Sequence, residues 1–207
     1  MAFIRQIGSR ASEDRLELLI EERLKPGTDK DRIDKRIWNL FGEKWAVLYT
    51  DLSGFSRNVT EFGVIHFLQT IYESHRLLVP VIQHGCGILL KTEGDSLMVI
   101  YRSVDDARQR HSKNLPAEDK VLLCIGYGDV LRIGDQDVYG EEVNSACKLG
   151  EDTAQAHEIL ISNAVAEAVS LPEGAKLEPF HDAPAAIGAA FKLNYENAVL
   201  SGFPKVD

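Results

Sequence analysis

Apolar residues along this chain change their spacing several times, and each change marks an element. Between residues 12 and 41 Leu16, Leu18, Leu19, Ile20 and Leu24, then Ile33, Ile37, Trp38 and Leu40, lie in a charged background at helical intervals, with Pro26-Gly27 breaking the run. Helices this poor in core residues need a neighbour to bury their stripe, either the following domain or a second copy of the arm. WAVLYT at 45–50 is instead a continuous apolar run of strand length, and it leads directly into DLSGFS at 51–56. A carboxylate, Asp51, therefore stands where a strand ends. Val64, Leu68, Ile71, Leu78 and Ile82 return to helical spacing, with Pro80 placed to kink that helix and Gly85 to stop it. Residues 86–92 and 97–101 are apolar runs joined by Glu93-Gly94-Asp95-Ser96, a hairpin-type turn that sets a second carboxylate on a sheet rim. Residues 104–111 can form a polar helix, 121–127 another buried strand, and 130–138 an extended segment interrupted by Gly134-Asp135. Further strands are expected at 159–161, 176–180 and 190–195. The order strand, helix, strand, strand, helix, strand predicts an α+β fold of the split βαβ kind, with helices on one face of the sheet.

Composition narrows the function classes. The 207 residues, 44% hydrophobic and 27% charged, suit one folded domain with an appendage. We divide them into an N-terminal helical arm, 1–43, expected to dimerise, and a catalytic domain, 44–207. The net charge of −9, with no basic stripe, argues against nucleic acid or an anionic membrane as main partner. An acidic protein that handles a polyanion usually needs a metal ion. The longest apolar stretches are too short to span a bilayer and the N-terminal segment is charged, so a cytoplasmic location is expected. Cys86, Cys124 and Cys147 are too widely spaced for a zinc pair and are expected to be buried small hydrophobes. The six histidines show no ligand spacing, and Gly126-Tyr127-Gly128 is expected to mark a strand end.

Two rim carboxylates, Asp51 and Asp95, suit Mg2+ or Mn2+, which take oxygen ligands and commonly bind through carboxylates plus substrate phosphates. Backbone N–H groups of Ser53, Gly54, Phe55 and Ser56, just before a helix, would then meet phosphate oxygens. On local pattern alone, Asp51 as a helix cap and Asp95 as a turn residue fit equally well.

Three blocks carry more. DLSGFS at 51–56, KTEGD at 91–95 and DVYGEEVNSA at 137–146 follow one another as strand-Asp-x-x-Gly-Phe-Ser, Lys-x-x-Gly-Asp and Asp-x-x-Gly-x-x-Val-Asn-x-Ala. In this the segment from Trp45 to about Ser162 resembles the catalytic domain of class III adenylate and guanylate cyclases. The resemblance implies a ferredoxin-like domain in which Asp51, Asp95 and the Leu52 carbonyl bind two Mn2+ or Mg2+ ions. It implies that Lys91 and Asp137 read the base, and that Asn144 orients the ribose. It also implies a homodimer with shared sites, the metal ligands from one chain and the Asn-bearing helix from the other. Asn144 and Lys148 are four apart on a predicted helix and so share a face.

Departures refine this picture. The family's transition-state Arg is Lys148 here, which keeps the charge but loses the forked geometry. Residues 181–191, HDAPAAIGAAF, contain no counterpart of the late triphosphate-binding Lys. Tyr49 and Glu93 stand where adenylate cyclases keep Phe and an apolar residue, which makes the base pocket more polar. With the compact chain and the charged arm, Tyr49 is similar to the pyrimidine cyclases of bacterial Pycsar anti-phage systems. That resemblance implies a cyclic pyrimidine nucleotide, cyclic UMP from UTP ahead of cyclic CMP from CTP, with pyrophosphate released and the product serving as a second messenger for a separate effector. Two alternatives stand beside it: an adenylate cyclase making cyclic AMP, for which Lys91 and Asp137 speak, and a non-catalytic nucleotide-binding or dimerisation domain.

Overall fold

The computed structural model describes residues 10–52, 63–111, 121–155, 158–195 and 197–198. Two helices open it, α1 (Ala11–Leu24) and α2 (Lys30–Phe41). The break between them holds Pro26-Gly27, and Asp29 caps α2 by accepting from the Arg32 N–H at 3.1 Å. α2 passes directly into β1 (Gly42–Leu52), which starts before the apolar run does. There follow α3 (Val64–His84), β2 (Ile88–Glu93), β3 (Ser96–Tyr101), α4 (Val104–His111), β4 (Val121–Ile133), β5 (Asp137–Tyr139), α5 (Glu141–Asp152), β6 (Ile159–Ser162), α6 (Asn163–Ala168), β7 (Lys176–Phe180) and β8 (Ala190–Asn194). The strands make one eight-stranded sheet, ordered β2-β3-β1-β4-β6-β8-β7, with β5 paired to β4. β4 and β6 are parallel, and the other pairs antiparallel. This is the predicted α+β class with helices at the N-terminal end.

β1 shows why helices occupy both faces of the sheet instead of one. Successive strand residues point to opposite faces. Ala46 and Leu48 pack with Phe67, Leu78 and Ile82 of α3 and with Val104 and Ala107 of α4. Trp45, Val47 and Tyr49 pack with Val143 and Ala146 of α5. The continuous apolar run thus reflects a strand buried on both sides. On α3 the core-facing positions are Phe67, Ser74, Leu78 and Ile82, so Val64 and Leu68, expected in the core, are 57% and 54% exposed.

Gly126 and Gly128 lie inside β4, not at its end. A Cβ on Gly126 would meet the Glu142 carbonyl oxygen, and one on Gly128 would lie 2.7 Å from Glu142 Cγ, so the first turn of α5 rests on bare backbone. The Glu142 carboxylate is anchored there, accepting from the Tyr127 N–H at 3.0 Å and the Ser162 hydroxyl at 2.9 Å. α5, the helix that carries Asn144 and Lys148, is thereby pinned to β4 and β6.

The arm buries its stripe on its own domain. Leu19, Ile33, Ile37 and Phe41 form a cluster with Ile133 of β4, and Arg23 grips Asp34 with bonds of 2.6 and 3.0 Å. Leu18, Leu24 and Trp38 stay exposed. Of the cysteines only Cys124 is buried; Cys86, just past the end of α3, is exposed and Cys147 is half-buried, which corrects the expectation for both. Among the described residues no helix is long and apolar enough to cross a membrane.

Candidate active site

β1 pairs with β3 so that Thr50 faces Leu97, which sets the end of β1 beside the turn carrying Asp95. Asp51 is half-buried, and burial is the main cause that raises its carboxyl to about 6. The neighbouring Asp95 raises it further, while Ser96, whose hydroxyl donates to Asp51 Oδ1 at 2.9 Å, pulls the other way. Among the described residues Asp95 Oδ2 is buried with no hydrogen-bond partner.

Two crowded carboxylates, one with an orphaned buried oxygen, are expensive by themselves, because a desolvated anion needs a donor or a cation. Their hard oxygen donors fit Mg2+ or Mn2+, with the Leu52 carbonyl next in the chain. Among the described residues no group of three or more His, Cys, Asp or Glu side chains is gathered to hold a metal. A cation here would complete its shell from backbone, water and substrate phosphates.

Lys91 and Asp137 form a second group. A bulge between Leu89 and Lys91 re-aims β2, and Lys91 Nζ lies 2.8 Å from Asp137 Oδ2. That bond raises the Lys91 ammonium above its ordinary range. Asp137 Oδ1 also accepts from the Val138 N–H at 2.8 Å. Tyr139, two residues on and therefore on the same face of β5, gives its hydroxyl to Asp137 and holds its proton more tightly for it. Glu93 is exposed, and its charge also favours the Lys91 cation.

Tyr49 is 8% exposed. Its ring lies under Gly150 of α5, and its hydroxyl donates to Ser96 Oγ at 2.9 Å. Asn144 and Lys148 are both exposed on α5, one turn apart. The backbone of Ser53, Gly54, Phe55 and Ser56 lies outside the described residues. Ser96 and Tyr139 are the two site residues that the sequence reading missed. Each had a signal: Ser96 follows Asp95 directly, and Tyr139 is two from Asp137 in an extended segment.

No protein-family model matches the sequence. The serine/threonine-protein kinase pkn2 of Myxococcus xanthus is 29% identical over 148 residues, which cover 63% of this chain and 18% of that protein. The chain thus spans under a fifth of the relative's length. Solved structures are similar over far larger shares. An adenylate cyclase of Trypanosoma brucei superposes with a TM-score of 0.60 at 15% identity, over 73% of this chain and 88% of that one. The adenylyl cyclase CyaB of P. aeruginosa gives 0.59 at 17% identity, over 78% and 98%. A bacterial light-regulated adenylyl cyclase gives 0.57 at 16% identity and reaches 94% of this chain, over 65% of its own. The chain therefore has the mixed α+β fold of class III adenylate and guanylate cyclase catalytic domains.

Proposed function

We propose that this chain is a metal-dependent nucleotide cyclase that converts a nucleoside triphosphate to its 3′,5′-cyclic monophosphate and pyrophosphate. One observation carries the reading: Asp51 and Asp95 share a rim on which Asp51 is raised to about 6 and Asp95 Oδ2 is buried without a donor among the described residues. Such a rim is relieved by a cation. Mn2+ or Mg2+ held by Asp51, Asp95 and the Leu52 carbonyl would neutralise phosphate charge and lower the pKa of the ribose 3′ hydroxyl. The 3′ oxygen then bonds to the α-phosphorus, the bond to the β-phosphate breaks, and the hydroxyl proton leaves to water. Asn144 holds the ribose, and Lys148 places its charge on the phosphate as negative charge develops. Both project from the outer face of α5, which suits service in the site of a second copy, so the active form is a homodimer with shared sites.

Lys91 and Asp137 offer a donor and an acceptor to the base edge. Glu93 adds a polar group where adenylate cyclases pack a purine face, and this favours UTP, with cyclic UMP as product. ATP is the second reading, because a Lys–Asp pair also matches adenine N1 and N6. By its resemblance to pyrimidine cyclases, the chain acts in the cytoplasm and supplies a messenger to a separate effector in anti-phage defence. Lys148 in place of Arg favours a third reading, a nucleotide-binding domain without turnover.

The test is incubation with Mn2+ and ATP, GTP, CTP or UTP separately, with products resolved by chromatography and mass. Asp51→Asn and Asp95→Asn should abolish product while keeping the fold, since each removes charge and no core volume. A folded dimer that forms no cyclic product from any of the four leaves only the binding-domain reading.

A further inference from the structure

We propose that Ser96 is a positioning residue for Asp51 and that Tyr49 braces it. The proposal rests on the cyclase reading in one respect: it gives Ser96 a task because Asp51 is a cation ligand.

A serine hydroxyl has one hydrogen to give and lone pairs to accept with. Ser96 gives its hydrogen to Asp51 Oδ1 at 2.9 Å and accepts from the Tyr49 hydroxyl at 2.9 Å. Acceptance from Tyr49 leaves the Ser96 hydrogen directed at the carboxylate, so the order Tyr49 to Ser96 to Asp51 has a defined sense. Tyr49 and Ser96 are each 8% exposed, so bulk water competes poorly for either hydroxyl.

The brace is itself held. The Tyr49 ring lies so close to α5 that a Cβ on Gly150 would be 2.6 Å from its Cδ1. β1 carries both Tyr49 and Asp51, two residues apart on one face, while Ser96 reaches them from β3. Two strands and a helix thus fix one carboxylate oxygen. The carboxylate keeps its remaining lone pairs for a cation, in an orientation it would otherwise have to find at an entropic cost. On this account the Tyr49 hydroxyl serves the metal carboxylate and leaves the base to Lys91, Asp137 and Glu93.

Mn2+ binding, read from the electron paramagnetic resonance signal of the free ion, tests this without requiring turnover. The proteins are the full chain and its Ser96→Ala, Tyr49→Phe and Asp51→Asn variants, with kcat and KM for UTP and ATP measured alongside. Ser96→Ala is expected to weaken Mn2+ binding by about ten- to a hundredfold, the range usual for a residue that orients a metal ligand. Tyr49→Phe should shift it the same way by a smaller factor, with the UTP-to-ATP ratio of kcat/KM unchanged. In the Asp51→Asn background Ser96→Ala should add nothing.

Wild-type Mn2+ affinity in a folded Ser96→Ala protein overturns the proposal. So does a Tyr49→Phe protein that changes the base ratio and binds Mn2+ normally. Should Ser96→Ala fail to fold, Tyr49→Phe decides alone, because it removes one oxygen and keeps the ring. A wild-type chain that binds no Mn2+ overturns both the cation site and the role of Ser96. One that binds Mn2+ with the expected Ser96 dependence but makes no cyclic product overturns the cyclase reading alone.

Discussion

Gly150→Ala should destabilise this protein, although the same change in most helices does the reverse. Glycine within a helix costs about 1 kcal/mol relative to alanine, so propensity alone predicts a gain of that size. Gly150 lies in the last turns of α5, and a Cβ built there would stand 2.6 Å from Tyr49 Cδ1 and 2.9 Å from Cε1. Carbon atoms pack best at about 3.5–4.0 Å, so the ring or the helix would have to retreat by about 1 Å. Tyr49 has little room to do so. It is 8% exposed, sits mid-strand with Met98 and Cys124 as its register partners, and has its hydroxyl on Ser96. Overpacking of this kind costs about 1–3 kcal/mol, which leaves a net loss of up to roughly 2 kcal/mol after the propensity gain. In a chain of this length each kcal/mol lost lowers Tm by about 2–4 °C. Urea and thermal unfolding followed by circular dichroism would read it. In a Tyr49→Ala background the ring is gone, and the same substitution should become stabilising. A Gly150→Ala protein more stable than the parent by about 0.5 kcal/mol or more would show that α5 does not press on Tyr49, and the brace behind Ser96 would fall with it.

Two further predictions concern the rim and the arm. Asp51 is raised to about 6 in the fold, against about 3.9 for an unfolded aspartate. The folded chain thus holds this proton where the unfolded chain has released it. The contribution is fully present below pH 4 and is lost as pH rises through about 6, on the order of 1–2 kcal/mol once solvent at the half-buried site is allowed for. In EDTA the urea midpoint of the parent relative to Asp51→Asn should therefore fall between about pH 4 and 7; equal pH slopes for the two proteins would contradict it. In the arm, Ile33→Ala removes a side chain that is 0% exposed and should cost about 2–4 kcal/mol, whereas Leu24→Ala, at a residue 76% exposed, should cost close to nothing. If Ile33→Ala instead leaves the thermal midpoint unchanged and only weakens self-association, the arm binds a second copy and not its own domain.

The sequence by itself determined the elements and where chemistry is offered. Continuous apolar runs marked the central strands, Pro26-Gly27 divided the arm, and acidic residues just past two of those runs located the rim. These follow from local physics: apolar spacing, a missing N–H at proline, the turn preference of Gly-Asp. The motif blocks built on those residues also pointed to the fold that the solved cyclases share. Tertiary structure alone decided which faces meet. Alternation in β1 defined two apolar faces but not which helix takes which, and α5 on the second face was decided by bare backbone at Gly126 and Gly128 under Glu142. Helical spacing on α3 defined a stripe but not its rotation, so Val64 and Leu68 point outward. The Tyr49–Ser96 and Ser96–Asp51 bonds join residues 47 and 45 apart in the chain, and Lys91 meets Asp137 across another long separation. Such contacts depend on cross-strand register, in which a slip of one residue turns every side chain to the other face, and no local pattern encodes the register between distant strands.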